Sequence, residues 1–233
     1  MLTTRARTSK EPPTAKITTY TSTTPPKNST TVSLPRPLLA LLVITNNLLP
    51  PVGDPTVENT GWYGYPQCFT VWSPASFRQG DGPFRTGDQF SAAERGAPSR
   101  TDGACAADSV PPRLSYQAHS APIGSVFDRN GTNLYVTFHG SWNRNPATGY
   151  KVVEVPFRKN TDGSFGPVAP PDSMQGYKDV FGAQNPGGCQ STTLTRSSCF
   201  RLAGIAWDNS YSRLYVSSDN DAEGEVWVLR KST

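Results

Sequence analysis

An aromatic-Asp pair followed by a Tyr-Val strand occurs twice in this chain at a fixed distance. Phe127-Asp128 precedes Leu134-Tyr135-Val136, and Trp207-Asp208 precedes Leu214-Tyr215-Val216, each residue 80 positions after its counterpart. Gly149-Tyr150-Lys151-Val152-Val153 is then echoed by Gly224-Glu225-Val226-Trp227-Val228, here 75 positions on. Each unit reads as a strand, a turn, an alternating strand, a polar loop and a further alternating strand. Two hairpins alike by chance share a pattern but have no reason to share an offset. The repeat is that of propeller blades, lengthened by an insertion around residues 158–200, and the fold class is all-β.

Composition agrees. The chain has 233 residues with 22 Pro and 20 Gly and only 17% charged residues, a turn-rich balance that favours strands over helices. Its formal charge of +4 is unevenly placed: residues 1–50 hold six Lys/Arg and one acidic residue, leaving 16 basic against 17 acidic in the rest. A near-neutral body and a basic tail without interleaved aromatics give no reason to expect a nucleic-acid partner. Residues 1–57 are expected to be a disordered or mis-assembled tail, with residues 58–233 forming the domain. The one strongly apolar run, residues 38–44, is shorter than the ~18 residues a membrane span needs. It also lies too far behind the start for a signal peptide, so a buried strand or a mis-assembled piece is expected.

Chemistry-bearing groups crowd the residues after the first Tyr-Val strand: Phe138-His139-Gly140-Ser141-Trp142-Asn143-Arg144. Strand ends are where β scaffolds place binding groups. An imidazole, an indole, a carboxamide and a guanidinium suit a flat anion, stacked on Trp142 and gripped by Arg144. Each has a plain structural reading beside this one. A Trp by a Gly-Ser turn often lids a small core, a lone Arg at a strand end is usually solvated, and His119 before Ser120-Ala121-Pro122 could bond its own backbone.

Four cysteines, none in a CxxC pair, and two histidines do not supply a zinc set. Chain order suggests Cys68–Cys105 and Cys189–Cys199, one of three possible connectivities. An even cysteine count and the sequon Asn130-Gly131-Thr132, in an expected hairpin turn, fit an extracellular, secreted protein. Phe69-Thr70-Val71-Trp72 reads as a strand entering a long loop over 73–112 that a Cys68–Cys105 bridge would tie down.

The string His139 to Arg144 with Gly149-Tyr150-Lys151-Val152-Val153 resembles the PQQ (pyrroloquinoline quinone)-dependent glucose/sorbosone dehydrogenase superfamily, most closely its fungal pyranose dehydrogenase branch. Tyr63-Gly64-Tyr65-Pro66-Gln67-Cys68-Phe69-Thr70-Val71-Trp72, Pro111-Pro112-Arg113-Leu114 to Ala118-His119-Ser120-Ala121-Pro122, and Cys199-Phe200-Arg201 through Ser217-Ser218-Asp219 follow in the same order. The resemblance implies a six-bladed β-propeller, of which this chain would be the C-terminal half. A blade takes ~40–50 residues, so about 180 can supply only three or four. It implies PQQ and Ca2+ as cofactors, and oxidation of a reducing sugar at C1 to the lactone, with electrons passed to an external acceptor. It places His119, His139, Trp142, Asn143 and Arg144 at the cofactor, with Arg144 neutralising a carboxylate; Asp219, at the repeat position of His139, is a weaker candidate.

The resemblance also leaves gaps. The family's general-base histidine lies in an earlier blade and nothing here matches it, so the catalytic residue is unassigned. The calcium-binding turn upstream of the Tyr63 motif is absent too. Pro51-Val52-Gly53-Asp54-Pro55-Thr56 stands in its place, and Asp219-Asn220-Asp221-Ala222-Glu223-Gly224 lacks EF-hand spacing. No residue is assigned to a metal. The expectation is a truncated or mis-started version of a longer enzyme. The alternative is a catalytically silent propeller module that binds carbohydrate or a protein partner.

Overall fold

The computed structural model describes residues 62–77, 83–92, 97–189, 197–221 and 224–231. The expected tail, the apolar run at 38–44 and the 51–56 segment lie outside the described residues.

Strands dominate, and their pairing is antiparallel throughout. β1 (Cys68–Thr70) pairs β2 (Gln89–Ser91). A larger sheet runs β3 (Pro122–Phe127), β4 (Asn133–Phe138), β5 (Lys151–Lys159), with β6 (Phe165–Pro167) and β7 (Lys178–Gly182) both on β5. A third sheet runs β8 (Leu202–Trp207), β9 (Leu214–Ser218), β10 (Glu225–Leu229). The single α-helix among the described residues, α1 (Asp102–Asp108), is capped by Thr101, whose hydroxyl accepts from the Ala104 N–H at 3.1 Å.

The 80-residue repeat is a repeat of register. Pro122, Ser125, Val126 and Phe127 pair Phe138, Val136, Tyr135 and Leu134, while Leu202, Ile205, Ala206 and Trp207 pair Ser218, Val216, Tyr215 and Leu214. Both sheets break register at the same place, between 122 and 125 and between 202 and 205. In both, a partner-strand hydroxyl fills the gap. The Gly124 N–H donates to Thr137 Oγ1 at 2.9 Å, and the Gly204 N–H to Ser217 Oγ at 3.0 Å. The hairpins are closed alike by the carboxylates of Asp128 and Asp208, which accept from the backbone N–H groups of Thr132 and Ser212.

The third strands correct the sequence reading. Lys151 pairs Phe138 and Glu225 pairs Ser218, so β5 and β10 correspond at an offset of 74, not 75. Two glycines that look equivalent, Gly149 and Gly224, misaligned them; Gly149 alone stands at positive φ, +85°. A one-residue slip would turn every side chain of the strand to its other face.

Alternation along β4 explains how the sheets stack. Leu134, Val136 and Phe138 face one apolar cluster with Val153, Val155, Phe157 and Leu114. Tyr135 faces a second with Val152, Leu202, Leu214, Val216 and Leu229, shared with the β8–β10 sheet. The two sheets touch closely at β3 and β8. A Cβ on Gly124 would lie 2.4 Å from the Ala203 carbonyl oxygen, and Thr137 Oγ1 donates to that same oxygen at 2.8 Å. Thr137 is fully buried.

Residues 73–112 are less loose than expected. They contain β2 and α1, with Cys105 of the helix bonded to Cys68 of β1. The second bridge joins Cys189 and Cys199. Both are the pairs that chain order suggested.

Candidate functional site

The polar cluster forms where β4 and β9 end together, beside the turn that enters β3. His139 and Asp219 follow those strands and are held by matching backbone bonds. The His139 N–H donates to Ala121 O at 2.8 Å and the Asp219 N–H to Arg201 O at 3.0 Å, again 80 residues apart. These bonds aim the two side chains at each other across the gap between the sheets. His139 Nε2 lies 2.6 Å from Asp219 Oδ1.

The 139–150 loop is built tightly enough to fix this geometry. Gly140 has φ +91°, and a Cβ there would lie 2.4 Å from the Tyr150 ring. Tyr150 is fully buried and its hydroxyl donates to the Ser141 carbonyl. The Ser141 N–H donates to Thr148 O at 2.9 Å, and the Thr148 N–H returns to Ser141 Oγ at 2.9 Å. Only glycine fits such an approach at positive φ.

The 118–121 turn is fastened to the same loop. His119 Nδ1 lies 2.9 Å from Asn143 Oδ1, and Arg144 Nη1 donates to Ala118 O at 3.0 Å. His119 and Ala121 adopt φ of 64° and 52°, a left-handed backbone that non-glycine residues hold only where the surroundings enforce it. His119 and Asn143 are exposed. Trp142 is 53% exposed, so its indole is a free face rather than a lid on the core.

All five candidate residues and Asp219 therefore fall on adjoining loops. His119, Asn143 and Arg144 tie two loops together, His139 and Asp219 tie the two sheets, and Trp142 stands in solvent between neither pair.

Arg201 is the site residue that sequence reasoning missed. It lies 1% exposed at the entry to β8, its N–H donates to Ser218 Oγ at 2.8 Å, and its side chain hydrogen-bonds Tyr150. Burial pushes its guanidinium below the ordinary arginine range, and Tyr150 and Asp219 pull the other way. The signal was present in Cys199-Phe200-Arg201, a cation opening an apolar strand two residues after a half-cystine. Asn220 pins that segment, donating from Nδ2 to Ser197 O and Cys199 O, each at 3.0 Å.

Electrostatics assign His139 its form. Burial depresses its pKa below the ordinary histidine value, the Arg201 charge depresses it further, and Asp219 opposes both. The net direction is down, which favours a neutral imidazole donating Nε2–H to the Asp219 carboxylate across the 2.6 Å contact. Among the described residues no group of three or more His, Cys, Asp or Glu side chains is placed to hold a metal ion.

A buried arginine at the seam of two repeated β sheets, with a second guanidinium and an exposed indole on the adjoining loop, makes up the candidate site of this β scaffold. The sequence model described as TrAA12-like matches residues 45–232, and the chain belongs to that family. It is 39% identical over 182 residues to a pyrroloquinoline quinone-dependent pyranose dehydrogenase of Coprinopsis cinerea, a match covering 77% of this chain and 24% of that protein. A pyrroloquinoline quinone-dependent sugar dehydrogenase of Hypocrea jecorina (strain QM6a) is 34% identical over 177 residues, 76% of this chain and 36% of the relative. Among solved structures, the holo form of the Coprinopsis cinerea pyranose dehydrogenase PQQ domain superposes with a TM-score of 0.65 at 36% identity. That match covers 80% of this chain and 45% of the other. A calcium structure of a Trichoderma reesei carbohydrate-active enzyme of family AA12 gives 0.63 at 34% identity, covering 81% and 44%. The chain thus spans about a quarter to a third of its curated relatives and under half of the solved domains.

Proposed function

We propose that this chain is the C-terminal part of a secreted, PQQ-dependent sugar dehydrogenase, built as part of a six-bladed propeller. The whole enzyme would oxidise a reducing sugar, an aldose or pyranose, at C1 to the lactone and pass the electrons to an external acceptor. The observation that carries the reading is the seam where His139, Asp219 and the buried Arg201 meet, with Arg144 and the open Trp142 indole on the loop that leads away from His139.

The donor set fits the cofactor. PQQ is a planar fused ring bearing carboxylates, and the chain offers two guanidiniums, one of them buried where its charge is least screened. Arg201 and Arg144 would hold carboxylates, Trp142 would lie against the ring, and His139, kept neutral, would offer a hydrogen bond. His119 and Asn143 would hold the Arg144 loop in place through their 2.9 Å contact. When bound, PQQ supplies a quinone able to accept hydride from the sugar's anomeric carbon. The chain's own share is orientation, charge neutralisation and exclusion of water at the seam. No described side chain is assigned to Ca2+, which belongs to the expected whole enzyme.

The test is thermal unfolding of the purified chain with and without PQQ plus Ca2+, followed by sugar-dependent dye reduction. A ligand that binds only the folded form raises the midpoint. An upward shift with turnover supports the enzyme, and a shift without turnover supports a cofactor face whose base lies outside this chain. A flat midpoint with no turnover overturns the cofactor reading and favours the silent carbohydrate- or protein-binding module.

A further inference from the structure

The rim opposite the site carries a feature that sugar oxidation leaves unused. The β3–β4 hairpin tip holds Asn130-Gly131-Thr132, at the far end of β4 from His139. β4 has six residues, so the tip stands roughly 17–20 Å from the strand end that leads into the site.

Asn130 is exposed, and its carboxamide makes no hydrogen bond among the described residues. Asn133, Asn160 and Asn220, by contrast, all use their side-chain nitrogen in bonds that hold turns together. Substituting the Asn130 nitrogen would break none of the contacts that close its hairpin, which run through Asp128 to the Thr132 N–H, the Thr132 hydroxyl and Asn133. Gly131, at φ +70°, carries the chain through the turn, and the nearest atom to a Cβ there is 3.8 Å away. The tip is open on the side where a large group must leave it.

The repeat provides an internal control. The equivalent β8–β9 tip, Asn209-Ser210-Tyr211, has the same Asp-closed geometry and an exposed asparagine, but no hydroxyl of Ser or Thr two residues on. Tyr211, 42% exposed, instead lies beneath the Arg129 guanidinium of the first hairpin, 5.3 Å from its carbon. Of two like tips, one has the acceptor motif and the other does not.

We infer that Asn130 is an N-glycosylation site, an inference that rests on the secretory reading given above. The Asn130 carboxamide nitrogen would bond to the anomeric carbon of an oligosaccharide from a lipid-pyrophosphate donor. The amide loses one proton as the lipid pyrophosphate leaves. The oligosaccharide covers the Arg129–Tyr211 end of the two sheets and leaves the opposite, ligand-facing rim open.

The experiment is expression of the full chain behind a host leader in a eukaryotic secretory cell, with peptide mapping before and after enzymatic deglycosylation. The expected result is a glycopeptide containing Asn130 whose carboxamide is converted to a carboxylate on glycan removal, while the Asn209 peptide stays unmodified. Asn130→Gln and Thr132→Ala each abolish it, and Thr132→Ser keeps it. The other sequon, Asn28-Ser29-Thr30, lies outside the described residues and maps to a separate peptide. Translocated chain with both disulfides formed and an unmodified Asn130 would overturn the site and leave the secretory reading standing. Failure of both disulfides in that compartment, with Asn130 glycosylated, would support the site and count against the secretory reading.

Discussion

His139 and Asp219 stand at the same place in two successive sheets, and each is the other's side-chain partner at 2.6 Å. The repeat makes this possible: with β3–β4 and β8–β9 in one register, the residues that follow β4 and β9 leave their sheets side by side. Where the first sheet has a hydrogen-bond donor, the second has an acceptor, so the seam is closed by two unlike copies of one position.

Asp219→Asn is expected to lower the His139 titration midpoint further, because it removes the group that opposes burial and Arg201. With only two histidines in the chain, imidazole 15N signals read this directly. The wild type should show His139 as the Nε2–H tautomer, and the variant a mixture. An unchanged tautomer would sink the assignment.

The same residue sets a pH window. Its folded pKa lies below the unfolded value of about 6.5, so the folded state binds fewer protons there. Stability contributed by the neutral imidazole is full above that value and falls as pH drops through it. His139→Asn should flatten this limb in urea midpoints measured at successive pH values.

Thr137→Val should cost about 1–3 kcal/mol, since it leaves the Ala203 carbonyl and the Gly124 N–H unpaired in a buried seam. Val matches the shape, so packing is kept and the lost bonds are what the urea midpoint reads. A wild-type midpoint would mean that apolar burial alone joins the sheets.

Asp208 offers a surface counterpart. Burial acts to raise its pKa, but the N–H groups of Ser212 and Arg213 and the hydroxyls of Ser210 and Ser212 outweigh it and hold the carboxyl at about 2. The bonds stabilise the hairpin above the usual carboxylate range of about 4 and are lost as pH falls toward the folded value. Asp208→Asn should remove that part of the acid dependence, as followed by carboxyl 13C titration and urea midpoints.

Trp142→Ala tests the proposed cofactor face with little structural confounding, because the indole is already half in solvent. The unliganded midpoint should stay put while PQQ affinity falls about tenfold, the loss of one ring-stacking contact of about 1.4 kcal/mol. Equal affinity for both proteins would remove Trp142 from the site.

What could be read from the sequence was what depends on neighbours along the chain. The Asp-closed hairpins and Tyr-Val strands announced themselves because turn chemistry and alternation act over short separations. β2 and α1 did not, since three-residue and seven-residue elements are too short to show a period, although Thr101 before Asp102 marks a helix start. Arg201 escaped because an arginine at a strand end is ordinarily solvated. Its burial is created by docking a second sheet whose contribution, Tyr150, lies 51 residues earlier in the chain. The 74-residue offset escaped because register is decided by pairing with β4 and β9, not by likeness between glycines.

The division of labour across the seam bears on how the molecule assembles. Each sheet is a meander of sequence neighbours, able to form from short-range contacts before the two meet. His139 and Tyr150 belong to one, Arg201 and Asp219 to the other, and neither sheet alone has the polar cluster. On the proposed function, ligand binding would therefore require the two sheets to be docked and would be lost when they part. Binding would serve as a gauge of sheet docking even while each meander stays intact.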